Sequence, residues 1–300
     1  MEICDLQVGY TMKNGFVQVS GFKLYYEIHE SDKPKHTLLT LHGGPGFTHH
    51  QLLPLRKLVE RKPSIRIVYY DQLGCGKSER TTDLSNYVIS RAVDEVDGVR
   101  EELGLGKVCL LGHSYGGSLA LEYALKYPSN LQKLILSSSD ASMPEAIKAF
   151  ALLKSALPEH VRQTLEKHEA VEDYDNPEYK KAVEELYRRH VFRGSEYPAD
   201  LKASLDGFNP DVYWTMWGKH EFICTGNMRD WDVTNRLGEI RVPTLILVGR
   251  YDELPVELSQ EMHRRIPNST LVILEKSSHF GMFEEEETYL DVVHRFLSEA

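Results

Sequence analysis

Apolar and polar positions follow two different rhythms along this chain of 300 residues. Between Phe16 and His29 they alternate around Ser20-Gly21, which predicts an antiparallel hairpin at the edge of a sheet. Short apolar runs then recur between longer amphipathic stretches, and each run is typical of a strand buried on both faces. The runs cover 37–41, 65–70, 108–112, 131–137, 242–249 and 270–274. Strands that alternate with helices in this way predict a mostly parallel sheet with helices on both faces.

The alternation stops between residues 141 and 236. This stretch is charged, has helical spacing and is interrupted by prolines at 144, 158, 177, 198 and 210. No buried strand is apparent in it, so we predict a helical cap inserted into the sheet domain. The expected organisation is a first core part at 1–140, the cap at 141–236 and a second core part at 237–300.

The most informative stretch is the apolar run that ends at Gly112. Residues Gly112-His-Ser-Tyr-Gly116 fit the pattern G-x-S-x-G, and small helix-forming residues follow at once. Strand, sharp turn and helix with a serine at the apex form a nucleophile elbow, which exposes the Ser114 hydroxyl above the sheet. The N–H of Tyr115 then lies at a helix N-terminus, where it can stabilise an oxyanion.

A second glycine-rich turn, His42-Gly-Gly-Pro-Gly46, follows the strand at 37–41. Such a turn leaves backbone N–H groups free and lets a substrate approach the main chain. In hydrolases with an elbow, the oxyanion hole takes one N–H from this loop. Gly43 or Gly44 is therefore the expected second donor.

A serine hydroxyl needs a base to remove its proton, and the base needs a third group to orient it. His279 follows the last predicted strand and is the candidate base, whereas His113 is expected to point away from the reacting centre. Asp252 follows the penultimate strand and Asp140 the strand before it, and both placements satisfy the chain order of such sites. From its position we favour Asp252.

Composition and charge disfavour several classes of partner and indicate the cellular compartment. The net charge of −10 disfavours nucleic acid, and no apolar run approaches the ~20 residues of a membrane span. The N-terminus lacks the features of a signal peptide, and the four cysteines are scattered, so we expect a cytoplasmic protein with reduced thiols. No metal site and no cofactor are predicted.

Four motifs together carry a family resemblance. His42-Gly-Gly-Pro-Gly46, Asp71-Gln-Leu-Gly-Cys-Gly-Lys-Ser78, Gly112-His-Ser-Tyr-Gly-Gly117 and Gly249-Arg-Tyr-Asp-Glu253 resemble those of the prolyl aminopeptidases, or proline iminopeptidases. The resemblance is strongest to their archaeal tricorn-associated branch and extends nearly end to end. It implies an α/β-hydrolase fold, removal of N-terminal residues from short peptides, and possible association with a larger peptide-producing protease.

The resemblance also implies that two acids hold the substrate's α-amino group. These positions match Glu221 in the cap and Glu253 beside Asp252; without the resemblance, both would be read as ordinary surface or helix-terminal acids. Many bacterial members carry arginine where Leu73 stands and tryptophan where Tyr115 stands. We therefore expect a broader preference, for proline and several apolar residues.

Two alternatives remain open. The aromatic stretch 211–223 either forms the core of the cap or places Trp214, Trp217 or Phe222 along a substrate pocket. The same Ser-His-Asp set would also serve an esterase or an amino-acid amidase, because an acyl-enzyme mechanism handles both types of bond. A non-catalytic protein with this fold is a third, disfavoured hypothesis.

Overall fold

A computed structural model describes residues 10–32, 34–61 and 64–298. Its centre is an eight-stranded sheet with the order β1-β2-β4-β3-β5-β6-β7-β8. The strands are β1 Tyr10–Val19, β2 Phe22–Ser31, β3 His36–Leu41, β4 Ile65–Tyr70, β5 Val108–His113, β6 Leu131–Ser137, β7 Thr244–Gly249 and β8 Ser269–Leu274. The first two form the predicted antiparallel hairpin, and β3 to β8 are parallel to one another.

Helices cover both faces of this sheet, as the sequence predicts. The α-helices are α1 Lys57–Arg61, α2 Ile89–Glu102, α3 Tyr115–Lys126, α4 Met143–Ser155, α5 Glu159–Glu169, α6 Pro177–Leu186, α7 Ala199–Asp206, α8 Pro210–Met216, α9 Val256–Arg265, α10 Gly281–Glu284 and α11 Glu286–Ser298. Short 3-10 helices lie at His49–Arg56, Leu84–Asn86, Pro128–Asn130 and Thr234–Glu239, and a π-helical turn at Tyr187–Val191. None of the helices in the described ranges is both long and apolar enough to cross a bilayer.

Two of the parallel strands are fully buried, and the register of the central strands places two functional turns side by side. Every residue of β5 and of β7 is buried, as expected for parallel strands covered on both faces. Leu41 at the end of β3 pairs with Gly112 in β5. This register sets the glycine-rich turn after β3 beside the serine turn after β5.

Helices α4 to α8 all lie between β6 and β7, in the stretch where a helical cap is predicted. The chain enters and leaves this helical segment at neighbouring points. Ser142 forms an isolated antiparallel bridge with Asp232, and the N–H of Val233 donates to the carbonyl of Ala141 at 2.9 Å. We refer to residues 143–231 as the cap segment.

The end of the chain forms two consecutive helices. The structure has the short helix α10 and then α11, separated at Glu285, whose backbone leaves the helical region at φ −130° and ψ 49°. At this break, Glu284 accepts the N–H of Ser278 and Glu285 accepts the N–H of Lys276.

Candidate active site

Ser114 lies at the turn between β5 and α3 in a strained backbone conformation, with φ 55° and ψ −127°. Its N–H donates to the carbonyl of Ser137 at 2.9 Å. The turn is too crowded for side chains: a Cβ on Gly112 would lie 2.0 Å from the Gly116 carbonyl oxygen, and one on Gly116 would lie 2.1 Å from that of Leu41. The two glycines are thus needed for close packing, and the serine side chain is left facing a cavity.

The structure brings Asp252, not Asp140, to His279. Nδ1 of His279 lies 2.8 Å from Oδ1 of Asp252, and both side chains are buried. The same carboxylate oxygen accepts the N–H of Leu254 at 3.0 Å, which fixes its orientation. Asp140 instead accepts a hydrogen bond from the Ser118 hydroxyl at 3.4 Å. Burial raises the pKa of Asp140 to about 6.

His113 packs against the candidate base. Its ring is fully buried, and the ring centroid lies 4.8 Å from that of His279. Burial, and then the positive charge of His279, hold the pKa of His113 well below its usual value. It therefore packs against the candidate base as a neutral ring.

Of the two candidate oxyanion donors in the glycine-rich turn, one is already engaged. The N–H of Gly43 donates to Oε1 of Gln51 at 2.7 Å, although a Cβ on Gly43 would lie only 2.8 Å from the Cβ of Ser114. Gly44 lines the cavity and has φ +121°, where a side chain would be strained. The N–H of Gly44 is therefore the better partner for that of Tyr115, the first residue of α3.

The cavity itself has a volume of about 440 Å³ and lies between the ends of the parallel strands and the cap segment. Gly44, Ser114, Glu253 and His279 line it from the sheet side. The cap segment contributes three acids, Glu184, Glu196 and Glu221, one cation, Arg188, and an apolar wall made of Tyr187, Val191, Phe192, Tyr197, Leu201 and Leu205. Phe47 and Phe280 complete the apolar lining.

Glu221 and Glu253 both reach this cavity, from opposite sides. Oε2 of Glu221 accepts a hydrogen bond from the Tyr213 hydroxyl at 2.7 Å. Glu253 is only 3% exposed, and its Oε2 is buried without a hydrogen-bond partner in the described chain. Burial raises the pKa of Glu221, and burial together with the charge of Glu221 raises that of Glu253 well above its usual value.

His279 is thus the one base in a group of three acids. Burial opposes its protonation, but Asp252, Glu253 and Glu221 outweigh burial and raise its pKa to about 9. The raised pKa values of the two glutamates and of the histidine have one consequence. A buried cluster with excess negative charge takes up protons readily, and it would be neutralised by a cationic ligand.

Of the two alternatives for the aromatic stretch, the structure favours packing within the cap segment, because Trp214, Trp217 and Phe222 are absent from the lining of the cavity. Trp214 is 51% exposed, whereas Trp217 and Phe222 are buried away from the cavity against Phe150. Nε1 of Trp217 donates to the backbone carbonyl of Glu221 at 2.8 Å. Trp217 therefore supports the segment that carries Glu221 and does not line the cavity.

Two side chains near the site were not singled out from the sequence. Gln51 holds the N–H of Gly43, and Glu284 holds the loop of His279 through Ser278. The run of four acids at 284–287 is a visible signal, but nothing in it distinguishes a loop support from a helix start.

Within the described ranges, no three His, Cys, Asp or Glu residues are grouped so that they could hold a metal ion. Cys75, Cys109 and Cys224 are buried and unpaired, and Cys4 lies outside the described residues.

The fold and this arrangement of side chains can be compared with known proteins. Residues 36–286 match the model of the α/β-hydrolase fold family. A proline iminopeptidase of Saccharolobus solfataricus is 40% identical over 295 residues, which are 97% of this chain and 94% of the relative. One of Thermoplasma volcanium is 39% identical over 287 residues, or 95% and 96%. The crystal structure of a Mycobacterium smegmatis proline iminopeptidase matches with a TM-score of 0.90 and 32% identity over 95% of this chain and 97% of that one.

The protein is therefore an α/β hydrolase. Within that class, the chain belongs to the proline iminopeptidase family, which confirms the resemblance carried by the four sequence motifs. It is an enzyme, an aminopeptidase of the α/β-hydrolase fold.

Proposed function

We propose that this protein is a serine aminopeptidase that releases proline and other, mainly apolar, N-terminal residues from short peptides. Ser114 is the nucleophile, His279 the base and Asp252 the group that orients the base. The observation that carries the proposal is the pair of carboxylates, Glu221 and Glu253, in the same cavity as Ser114. Two buried acids with raised pKa values favour a ligand that brings a positive charge.

The chemistry follows from these positions. Nε2 of His279 takes the hydroxyl proton of Ser114 while Oγ attacks the carbonyl carbon of the first peptide bond. The N–H groups of Tyr115 and Gly44 stabilise the oxyanion of the tetrahedral intermediate. When the intermediate collapses, His279 gives its proton to the leaving amine. A water molecule, deprotonated by His279, then hydrolyses the acyl-enzyme and frees the N-terminal residue.

The α-amino group sets the position of the cut. Only one residue separates this group from the bond that breaks, so a carboxylate pair beside Ser114 selects the first peptide bond. The cationic secondary amine of an N-terminal proline has two N–H donors, and the two carboxylates match them. The apolar wall around Tyr187, Tyr197 and Leu201 suits proline and other apolar side chains.

The finer expectations belong to the same proposal. Leu73 and Tyr115, where many bacterial members carry arginine and tryptophan, favour acceptance of residues other than proline. We propose short peptides with a free N-terminus as substrates, supplied in the cytoplasm by a larger peptide-producing protease.

A panel of fluorogenic aminoacyl amides tests the proposal, with proline, alanine, leucine and glutamate at the first position and an N-acetylated twin of each. We expect kcat/KM to fall at least ~10²-fold in every twin, because the acids then face no cation. Proline and the apolar residues should exceed glutamate. Equal rates for free and acetylated substrates would favour an esterase. Cleavage of simple amides without cleavage of dipeptides would favour an amino-acid amidase.

A further inference from the structure

The base of the proposed mechanism has a carboxylate on each of its two ring nitrogens. Nδ1 of His279 bonds Asp252, and Nε2 lies 3.4 Å from Oε1 of Glu253. Nε2 is the nitrogen that must take the proton of Ser114. Glu253 is held in this position because its own N–H donates to the carbonyl of His190 at 3.0 Å and its side chain is buried.

We propose that Glu253 withholds His279 from Ser114 in the free protein, and that the substrate's ammonium group releases the base by drawing the Glu253 carboxylate to itself. The inference rests on the proposed function, since it adds a second task to a residue assigned there to the α-amino group. Glu253 is in this respect a positioning residue for His279 as well as a binding residue for the substrate.

The charges around His279 support this exchange. Asp252 and Glu253 face it from the loop after β7, Glu221 faces it from the cap segment, and the neutral ring of His113 packs on it from β5. A proton held between Nε2 of His279 and Oε1 of Glu253, which lie 3.4 Å apart, leaves Nε2 no lone pair for the Ser114 proton. The surrounding acids favour this proton, because they raise the pKa of His279 to about 9. An ammonium group between the glutamates offsets their negative charge. The pKa of His279 then falls, and the Nε2 proton leaves to water.

Because of this exchange, the α-amino group of the substrate is required for the chemical step as well as for binding. A substrate of the same size without the amine would find the base still protonated. The enzyme would then discriminate against this substrate through a lower kcat, because kcat depends on interactions that are stronger in the transition state than in the ground state.

The wild-type protein allows a test by pH profiles. For a neutral ester such as 4-nitrophenyl butyrate, kcat/KM reports the pKa of the free enzyme. We expect it to rise with pH to a midpoint near 9, since only the deprotonated base is active. For alanine 4-methylcoumaryl-7-amide, kcat reports the pKa of the base in the enzyme–substrate complex. The midpoint of this pH profile should be lower than that of the ester by at least about one pH unit. Equal midpoints for the two measurements would overturn the proposal.

The variant Glu253→Gln tests the residue itself, with Glu257→Gln as the matched control because Glu257 is exposed and only four positions along the chain. In Glu253→Gln the ester midpoint should fall by at least about one unit. Ester kcat/KM at pH 7 should then rise roughly tenfold, while cleavage of the amide falls. The control should leave both profiles unchanged.

An unshifted ester profile in folded Glu253→Gln would contradict the proposal, and if this variant does not fold, the wild-type comparison decides. The ester measurements need no aminopeptidase activity. A protein that fails to prefer free amines would therefore refute the proposed function without deciding whether Glu253 holds the base.

Discussion

Glu284 accepts two hydrogen bonds from Ser278, one from the backbone N–H at 2.8 Å and one from the hydroxyl at 2.7 Å. Ser278 is the residue before His279. The other carboxylate oxygen of Glu284 accepts the N–H of Arg193 in the cap segment at 2.7 Å. A single acid thus joins the loop of the candidate base to the wall of the cavity.

We expect Glu284→Gln to lower kcat about 10- to 100-fold. The amide has one acceptor oxygen where the carboxylate has two, so either the two bonds from Ser278 or the bond from Arg193 is lost, and the link that positions the loop of His279 is broken. The melting temperature should also fall. The control is Glu287→Gln, which removes the same charge from a side chain that pairs with Arg61 at the surface. Unchanged kcat in Glu284→Gln would show that the loop of His279 holds its position without this acid.

Ser114→Ala should reduce turnover at least ~10⁴-fold on both amide and ester substrates, as the loss of a triad nucleophile does. Alanine is smaller than serine, and the strained turn is set by glycines on either side, so the circular dichroism spectrum should remain that of the wild type. Near-normal turnover in the folded variant would refute the mechanism.

Asp252→Asn should cost on the order of 10⁴ in kcat, because an amide favours the wrong tautomer of the histidine. Asp140→Asn should change kcat little, since Asp140 bonds Ser118 and not His279. Comparing kcat of the two variants at one pH decides the matter. A large loss in Asp140→Asn alone would move the orienting acid to the end of β6.

Glu221→Gln keeps the size of the side chain and leaves the substrate's ammonium group with one carboxylate. Loss of one partner of a buried ion pair costs roughly 3–5 kcal/mol, so kcat/KM on alanine or proline amides should fall by about two to four decades. Hydrolysis of a neutral ester should fall far less. Equal losses on both substrates would mean that Glu221 supports the fold and does not bind the amine.

Asp140 also gives a pH-dependent prediction for stability. Its pKa of about 6 in the folded protein lies above the usual 3.8, so its ionisation favours the unfolded chain as pH rises from about 4 to above 6. Asp140→Asn should therefore match the wild type near pH 4 and be more stable at pH 8, by roughly 3 kcal/mol. Melting temperatures at the two pH values measure this difference.

Asp232 provides a control of opposite sign. Burial acts to raise its pKa, but hydrogen bonds from Thr234 and Ser142 outweigh burial and lower it. Its stabilisation is present above the usual pKa and is lost as pH falls. Asp232→Asn should thus destabilise the protein at pH 8 and have less effect at pH 3. The same sign of change in both variants would contradict this account.

The parts of the site that depend on local geometry can be predicted from the sequence. The position of Ser114 follows from glycines that no other residue can replace, and the parallel sheet follows from fully apolar strands. Asp252 and His279 can be identified as residues that follow strands, because the carboxyl ends of parallel strands meet at one edge, but Asp140 satisfies the same rule and only the structure excludes it.

Other parts depend on contacts that spacing does not encode. Gln51 accepts the N–H of Gly43 only because the intervening turn folds back, so residue spacing alone does not choose between Gly43 and Gly44. The orientations of Trp214, Trp217 and Phe222 depend on how α8 and the residues after it pack on Phe150. The distance from Glu253 to His279 depends on the path of one loop after β7.

The bridge between Ser142 and Asp232 has a consequence for how this enzyme can diversify. Because both ends of the cap segment are joined at one point, the sheet requires only that the inserted chain return to where it started. The entropy of closing such a loop grows slowly, by about 0.6 kcal/mol for each doubling of its length. The entropic cost of closing the loop therefore depends little on the size of the insertion. Different helices inserted at this point can change the selectivity of the enzyme, while the strands that carry the reacting residues stay the same.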